Sequence, residues 1–150
     1  MEKRPRRKAG RRDDSAQSLM LRHVMVVEDD AILALACEET LRSGGVERVD
    51  LCSTTDLALE TLREHRPDAI VLDVHLADRD DGWAIAELVR NLGENCPRIV
   101  FSTGAPQDIP PEIAELGHVL TKPYAPDALL AALREPEHRG LFSRLRNALS

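Results

Sequence analysis

Five short apolar runs, each joined to the next by a segment with helical features, most limit what this 150-residue chain can fold into. The runs are HVMVV, VERVDLC, DAIVLD, PRIVFS and HVLT. Four of the segments after them read as full helices. AILALACEETLRSGG has Ile32, Leu33, Leu35, Ala36 and Leu41 at helical spacing and stops at Gly44-Gly45. STTDLALETLREHRP opens on capping hydroxyls and closes at Pro67. WAIAELVRNLG and APDALLAALRE follow the third and fifth runs. TGAPQDIPPEIAELG, after the fourth, has prolines that leave room only for a short helix over 111–116. Strands alternating with helices predict a parallel sheet with right-handed crossovers and helices on both faces. DAIVLD is apolar on both faces and is therefore predicted to lie at the centre of that sheet.

Aromatic residues make up only 3% of the chain, so the core has to be built from Leu, Val, Ile and Ala. No apolar stretch approaches the ~18 residues that a membrane span needs, and the start lacks the apolar region of a signal peptide. Cys37, Cys52 and Cys96 are odd in number, widely spaced and without a CxxC, which predicts reduced thiols in a cytoplasmic protein. The net charge of −6 is unevenly spread, because the first fourteen residues, MEKRPRRKAGRRDD, hold seven Lys and Arg against three acids. No apolar or aromatic residue is interleaved there to make contacts specific. A solvated, disordered leader over 1–20 is therefore expected, with no specific nucleic-acid or membrane partner. One domain is expected over 21–135. An extension over 136–150 follows, with Leu141, Phe142, Leu145 and Leu149 at the spacing of a short amphipathic helix.

In an open doubly wound sheet, ligands bind beyond the carboxyl ends of the strands. The first strand runs out into Glu28, Asp29 and Asp30, the third into Asp73, the fourth into Ser102 and Thr103, and the fifth into Thr121 and Lys122. The second ends in Cys52 and Ser53 and offers little. Adjacent carboxylates repel one another, and taking them out of water is costly unless a cation sits among them. Oxygen-only ligands suit Mg²⁺, so Glu28 and Asp29 are candidates to hold it, while Asp30 is placed to cap the first helix. A capping role remains open for one of the first two acids, not for both. His23, His65, His118 and His138 have no metal-ligand spacing and read as structural. No GxGxxG or GxxxxGK[ST] occurs, which disfavours a nucleotide-binding enzyme.

Together VMVVEDD, IVLDVHL, IVFSTGA and VLTKPY, in this order and at this spacing, resemble the receiver domain of two-component response regulators over about residues 22–135. The resemblance implies a flavodoxin-like fold with five parallel strands in the order 2-1-3-4-5. It implies that Asp73 accepts a phosphoryl group from a sensor histidine kinase or a phosphotransfer protein. Glu28 and Asp29 would then be the metal pair, with Asp73 and the backbone carbonyl of His75 completing the protein ligands to Mg²⁺. Thr103 and Lys122 would contact phosphoryl oxygens, although Ser102 beside Thr103 leaves the register open by one residue. A cis Lys122–Pro123 bond, a downstream protein target and a monomer or weak homodimer are further implications. Such a module is not an enzyme beyond catalysing its own phosphorylation and dephosphorylation.

Two features depart from the family pattern. The loop after Asp73 runs nine residues to Gly82 with Ala77 where proline is usual, and Val119 stands where a switching aromatic usually sits. With FSTGA, they resemble a subgroup of short, stand-alone receivers, so no output domain is expected and the domain would signal by binding a partner. Without the switching ring, the Gly- and Pro-rich segment 104–118, with few apolar anchors, is expected to carry the signal. Two alternatives compete with this reading. One is a pseudo-receiver that binds proteins without being phosphorylated. The other is a phosphohydrolase, which wants a second carboxylate two residues after Asp73, where this chain has His75.

Overall fold

All five residues of β3 (Ala69–Asp73) are buried, as expected of a central strand with both faces covered. The computed structural model describes residues 21–75, 83–93 and 96–134. The basic leader, the loop with Ala77 and the C-terminal extension lie outside the described residues. Around β3 stand β1 (His23–Val27), β2 (Arg48–Cys52), β4 (Arg98–Thr103) and β5 (His118–Thr121), all parallel, in the order β2-β1-β3-β4-β5. The helices are α1 (Ala31–Ser43), α2 (Thr55–Glu64), α3 (Trp83–Arg90), α4 (Pro111–Ala114) and α5 (Pro126–Arg134). This is the doubly wound architecture that the alternation of runs predicts, in the flavodoxin-like strand order that the family resemblance implies.

The two faces of the sheet carry separate cores. Met25, Ile70, Leu72, Ile99 and Phe101 pack with Ala58 of α2, Ile85 of α3 and Ile113 of α4. Val24, Val26, Val71 and Val100 pack on the other side with Leu41 of α1 and Leu129 and Leu133 of α5. Burying each large aliphatic or aromatic side chain contributes roughly 1.5–3 kcal/mol, which offsets the entropy of ordering the chain. Edge strand β2 is the more polar, and there His23 of β1 hydrogen-bonds Asp50 at 2.7 Å.

Local signals set the helix ends. Asp30 caps α1, its Oδ1 accepting the Ile32 and Leu33 amides at 2.9 and 3.1 Å, and Gly44-Gly45 ends it, Gly45 at φ +105°. Thr54 caps α2 by accepting the Leu57 amide. The Arg98 guanidinium donates to the Leu133 carbonyl, tying the end of α5 to the start of β4.

Two expectations need correction. The apolar residues that mark α1 in the sequence do not all face the core: Ala34 and Leu41 are buried, whereas Ile32, Leu33 and Leu35 are exposed. The connection from β4 to β5 holds a 3-10 turn at Pro106–Asp108 and the four-residue α4, and it is well anchored. Ile109, Ile113 and Leu116 are all buried in it, because apolar residues spaced by three or four need no long helix to reach the core.

Candidate functional site

Parallel pairing in register brings the carboxyl ends of β1, β3, β4 and β5 to one edge. Val27 pairs with Leu72, Asp73 with Ser102 and Thr103 with Thr121, so the next residues, Glu28 and Lys122, stand close to Asp73. Carboxylate oxygens of Glu28, Asp29 and Asp73 lie within 4.8 Å of one another. Glu28 and Asp73 are buried and Asp29 is exposed.

Lys122 enters this acidic cluster from β5. Its backbone N–H donates to the Thr103 carbonyl at 2.8 Å, and the Lys122–Pro123 peptide is cis. Its Nζ donates to Glu28 Oε1 at 3.0 Å and stands 3.7 Å from Asp73 Oδ2. Glu28 Oε2 accepts the Asp30 amide at 3.2 Å, and Asp73 Oδ1 accepts the His75 amide at 3.1 Å. Asp73 therefore turns Oδ2 towards the lysine.

Burial pushes the Glu28 carboxyl above its ordinary range, and the Lys122 hydrogen bond offsets only part of that. Burial by itself would lower the Lys122 ammonium, but the bond to Glu28 and the charge of Asp73 outweigh it and raise its pKa. The lysine therefore stays a cation among the acids. Three carboxylates with no nitrogen or sulfur donor form a hard, oxygen-only set that fits a small divalent cation.

Residues 24–134 match the response regulator receiver domain family. The chain belongs to that family. The receiver domain is 27% identical over 120 residues to the transcriptional regulatory protein PdtaR of Mycobacterium tuberculosis, covering 79% of this chain and 58% of that protein. It spans about half the length of the curated relatives it matches. Among solved structures, a CheY-like receiver domain from Methylobacillus flagellatus superposes with a TM-score of 0.65 at 28% identity, covering 73% of this chain and 92% of that one. The receiver domain of the sensor histidine kinase PA1611 from Pseudomonas aeruginosa does so with a TM-score of 0.65 at 26% identity, covering 75% and 94%.

The structure separates Ser102 from Thr103. Their side chains alternate along β4, and the Ser102 hydroxyl pairs with the Tyr124 hydroxyl at 2.9 Å. Thr103 is buried at the strand end, and its Oγ1 accepts the Ala105 amide at 2.9 Å rather than meeting the acids. The His75 ring turns away, 3.4 Å from Asp108. The Ser102–Tyr124 pair escapes sequence reasoning, since no local pattern links hydroxyls 22 positions apart. Tyr124 and Ser102 help line a cavity of about 390 Å³ between the sheet, α1 and α5. Cys37 lines it too, its thiol pushed up to about 12 by burial and the nearby Glu28 charge, which keeps it protonated and unreactive.

Proposed function

We propose that this receiver domain accepts a phosphoryl group on Asp73 from the phosphohistidine of a sensor histidine kinase or phosphotransfer protein, and signals through contacts with a downstream protein. The observation that carries the reading is the convergence of Glu28, Asp29 and Asp73 with the Lys122 ammonium at one strand edge. The carboxylate of Asp73 forms the new P–O bond as the donor's P–N bond breaks. Its Oδ1 accepts the His75 amide, and its Oδ2 faces the Lys122 ammonium at 3.7 Å, so Oδ2 is the oxygen presented to the site.

Glu28, Asp29 and Asp73 would hold Mg²⁺, with the His75 carbonyl as a further ligand; the PA1611 receiver has a magnesium ion in its active-site cleft. When bound, Mg²⁺ supplies charge neutralisation for the transferring phosphoryl group. Lys122 adds a second positive charge on the β5 side. For Thr103 to donate to a phosphoryl oxygen, its Oγ1 has to leave the Ala105 amide. A cytoplasmic setting fits cysteines that form no disulfide among the described residues, and it fits the kinase partner.

A pseudo-receiver is disfavoured because a pure binding module has no need of a buried acid cluster with a lysine inside it. The discriminating test is kinase-driven transfer to wild type and to Asp73→Asn. Transfer confined to wild type supports the proposal, and equal labelling of the variant overturns the site.

A further inference from the structure

Lys122 is flanked by two hydrogen bonds to consecutive residues of β4. Its own amide donates to the Thr103 carbonyl at 2.8 Å. Two residues on, the Tyr124 hydroxyl pairs with the Ser102 hydroxyl at 2.9 Å. Pro123 and Pro126, on either side of the tyrosine, have no amide to donate, so the loop between β5 and α5 has fewer backbone bonds to draw on. Ser102 is 2% exposed and stands in register with Asp73 on one side and Leu120 on the other.

The Tyr124 ring packs against the core between the sheet, α1 and α5, yet it also borders the cavity of about 390 Å³. A ring with open space beside it is not fixed by packing alone. A ring that only filled space would need no hydroxyl, and a buried serine hydroxyl is costly unless it is partnered. Burial holds the phenol above its ordinary 10, offset in part by the Ser102 bond, so it is a neutral hydroxyl at physiological pH. Any slide of the loop would break the pair and strand both hydroxyls, so the bond selects one loop position. That position matters for the lysine. Its stem is long and flexible, so where the ammonium stands depends on where the backbone is held. Held on both flanks, it meets Glu28 at 3.0 Å and Asp73 at 3.7 Å.

We propose that Ser102 and Tyr124 are positioning residues for Lys122: their hydroxyl pair holds the loop between β5 and α5 so that the ammonium is presented to the phosphoryl group on Asp73. The inference rests on the phosphoacceptor reading of Asp73 and adds two residues to it.

Wild type, Tyr124→Phe, Ser102→Ala and the double variant are titrated with beryllofluoride in saturating Mg²⁺ by calorimetry, and are melted with neither present. Each single variant strands one buried hydroxyl and is expected to melt lower than wild type. The double variant strands none and is expected to melt close to it. All three are expected to bind beryllofluoride more weakly, on the order of tenfold, with no loss of affinity for Mg²⁺ alone. In a Lys122→Gln background the double substitution is expected to cost nothing further, because the pair acts through the lysine. A double variant that melts and binds like wild type would show a purely structural pair and overturn the proposal. So would a further loss of affinity in the Lys122→Gln background. A wild type that binds no beryllofluoride in Mg²⁺ would overturn the phosphoacceptor reading itself, and the role of the pair with it.

Discussion

The Lys122 ammonium hydrogen-bonds Glu28 Oε1 at 3.0 Å, closer than its 3.7 Å approach to Asp73. The lysine is thus the counter-charge of a proposed metal ligand. Glu28→Gln keeps an oxygen for Lys122 while removing a buried charge, and Asp29→Asn removes another from the same cluster. The double variant is expected to melt higher without metal, by about 4 °C for a gain on the order of 1 kcal/mol, and to lose the rise that Mg²⁺ gives wild type. Thermal melts in chelator and in Mg²⁺ check both. A lower melting point in chelator would mean that these acids stabilise the helix start instead.

Val119 is partly buried against the core of the face that carries α2, α3 and α4, and it is too small and stiff to act as a swinging ring. Activation should therefore be felt where Thr103 leads on. Gly104 to Asp108 include the Ala105 amide that Thr103 Oγ1 holds, and none of them is buried, whereas Ile109, Ile113 and Leu116 pin the stretch from 109 to 116 to the core. With beryllofluoride as phosphoryl mimic, hydrogen exchange is expected to change over 104–108 and to stay constant over 109–116. A change centred on α1 or α3 would contradict this route.

The Asp50 carboxyl gives a pH signature. Burial would raise it, but the hydrogen bond from His23 and the nearby Arg48 outweigh that and hold it below its ordinary 3.8. A carboxyl depressed in the folded state contributes stability that is fully present above pH 3.8 and is lost as pH falls through the folded value. The pair is partly exposed, so Asp50→Asn is expected to cost only about 0.5–1 kcal/mol at neutral pH. The difference from wild type should close in acid. Denaturation curves across pH test this, and a gap that widens on acidification would refute it.

Gly117 enters β5 where backbone crowds backbone: a Cβ there would lie 2.2 Å from the Ile99 carbonyl oxygen. Gly117→Ala is expected to destabilise by about 1–3 kcal/mol, seen as a lower urea midpoint at unchanged slope. A midpoint equal to wild type would show that β4 and β5 can separate at no cost.

The strands and the acid cluster were legible because each depends on a local pattern. AIVLD is apolar at every position before its acid, and Glu28, Asp73 and Lys122 each stand at or directly after a strand end, so parallel pairing alone brings them to one edge. The caps Asp30 and Thr54 were legible for the same reason, as short polar side chains before apolar periodicity. What escaped was tertiary. Nothing in AILALACEETLRS says that Ala34, rather than Ile32 or Leu35, faces the sheet, since the helix is apolar nearly all round in its first turns. The partner of Ser102 is set by a loop 22 residues away, and Thr103 Oγ1 chooses a neighbouring amide that only the turn geometry supplies. The anchoring of 109–116 was hidden behind prolines that argue against a helix but not against burial.

The central claim is that Asp73 is phosphorylated in a metal-dependent way. Incubating the protein with acetyl phosphate and Mg²⁺ and measuring intact mass tests it most directly. The expected result is a mass increase of one phosphoryl group, located at Asp73, absent in chelator and absent in Asp73→Asn. Persistence of the increase in Asp73→Asn, or no increase in wild type under any metal condition while the fold is intact, would contradict it.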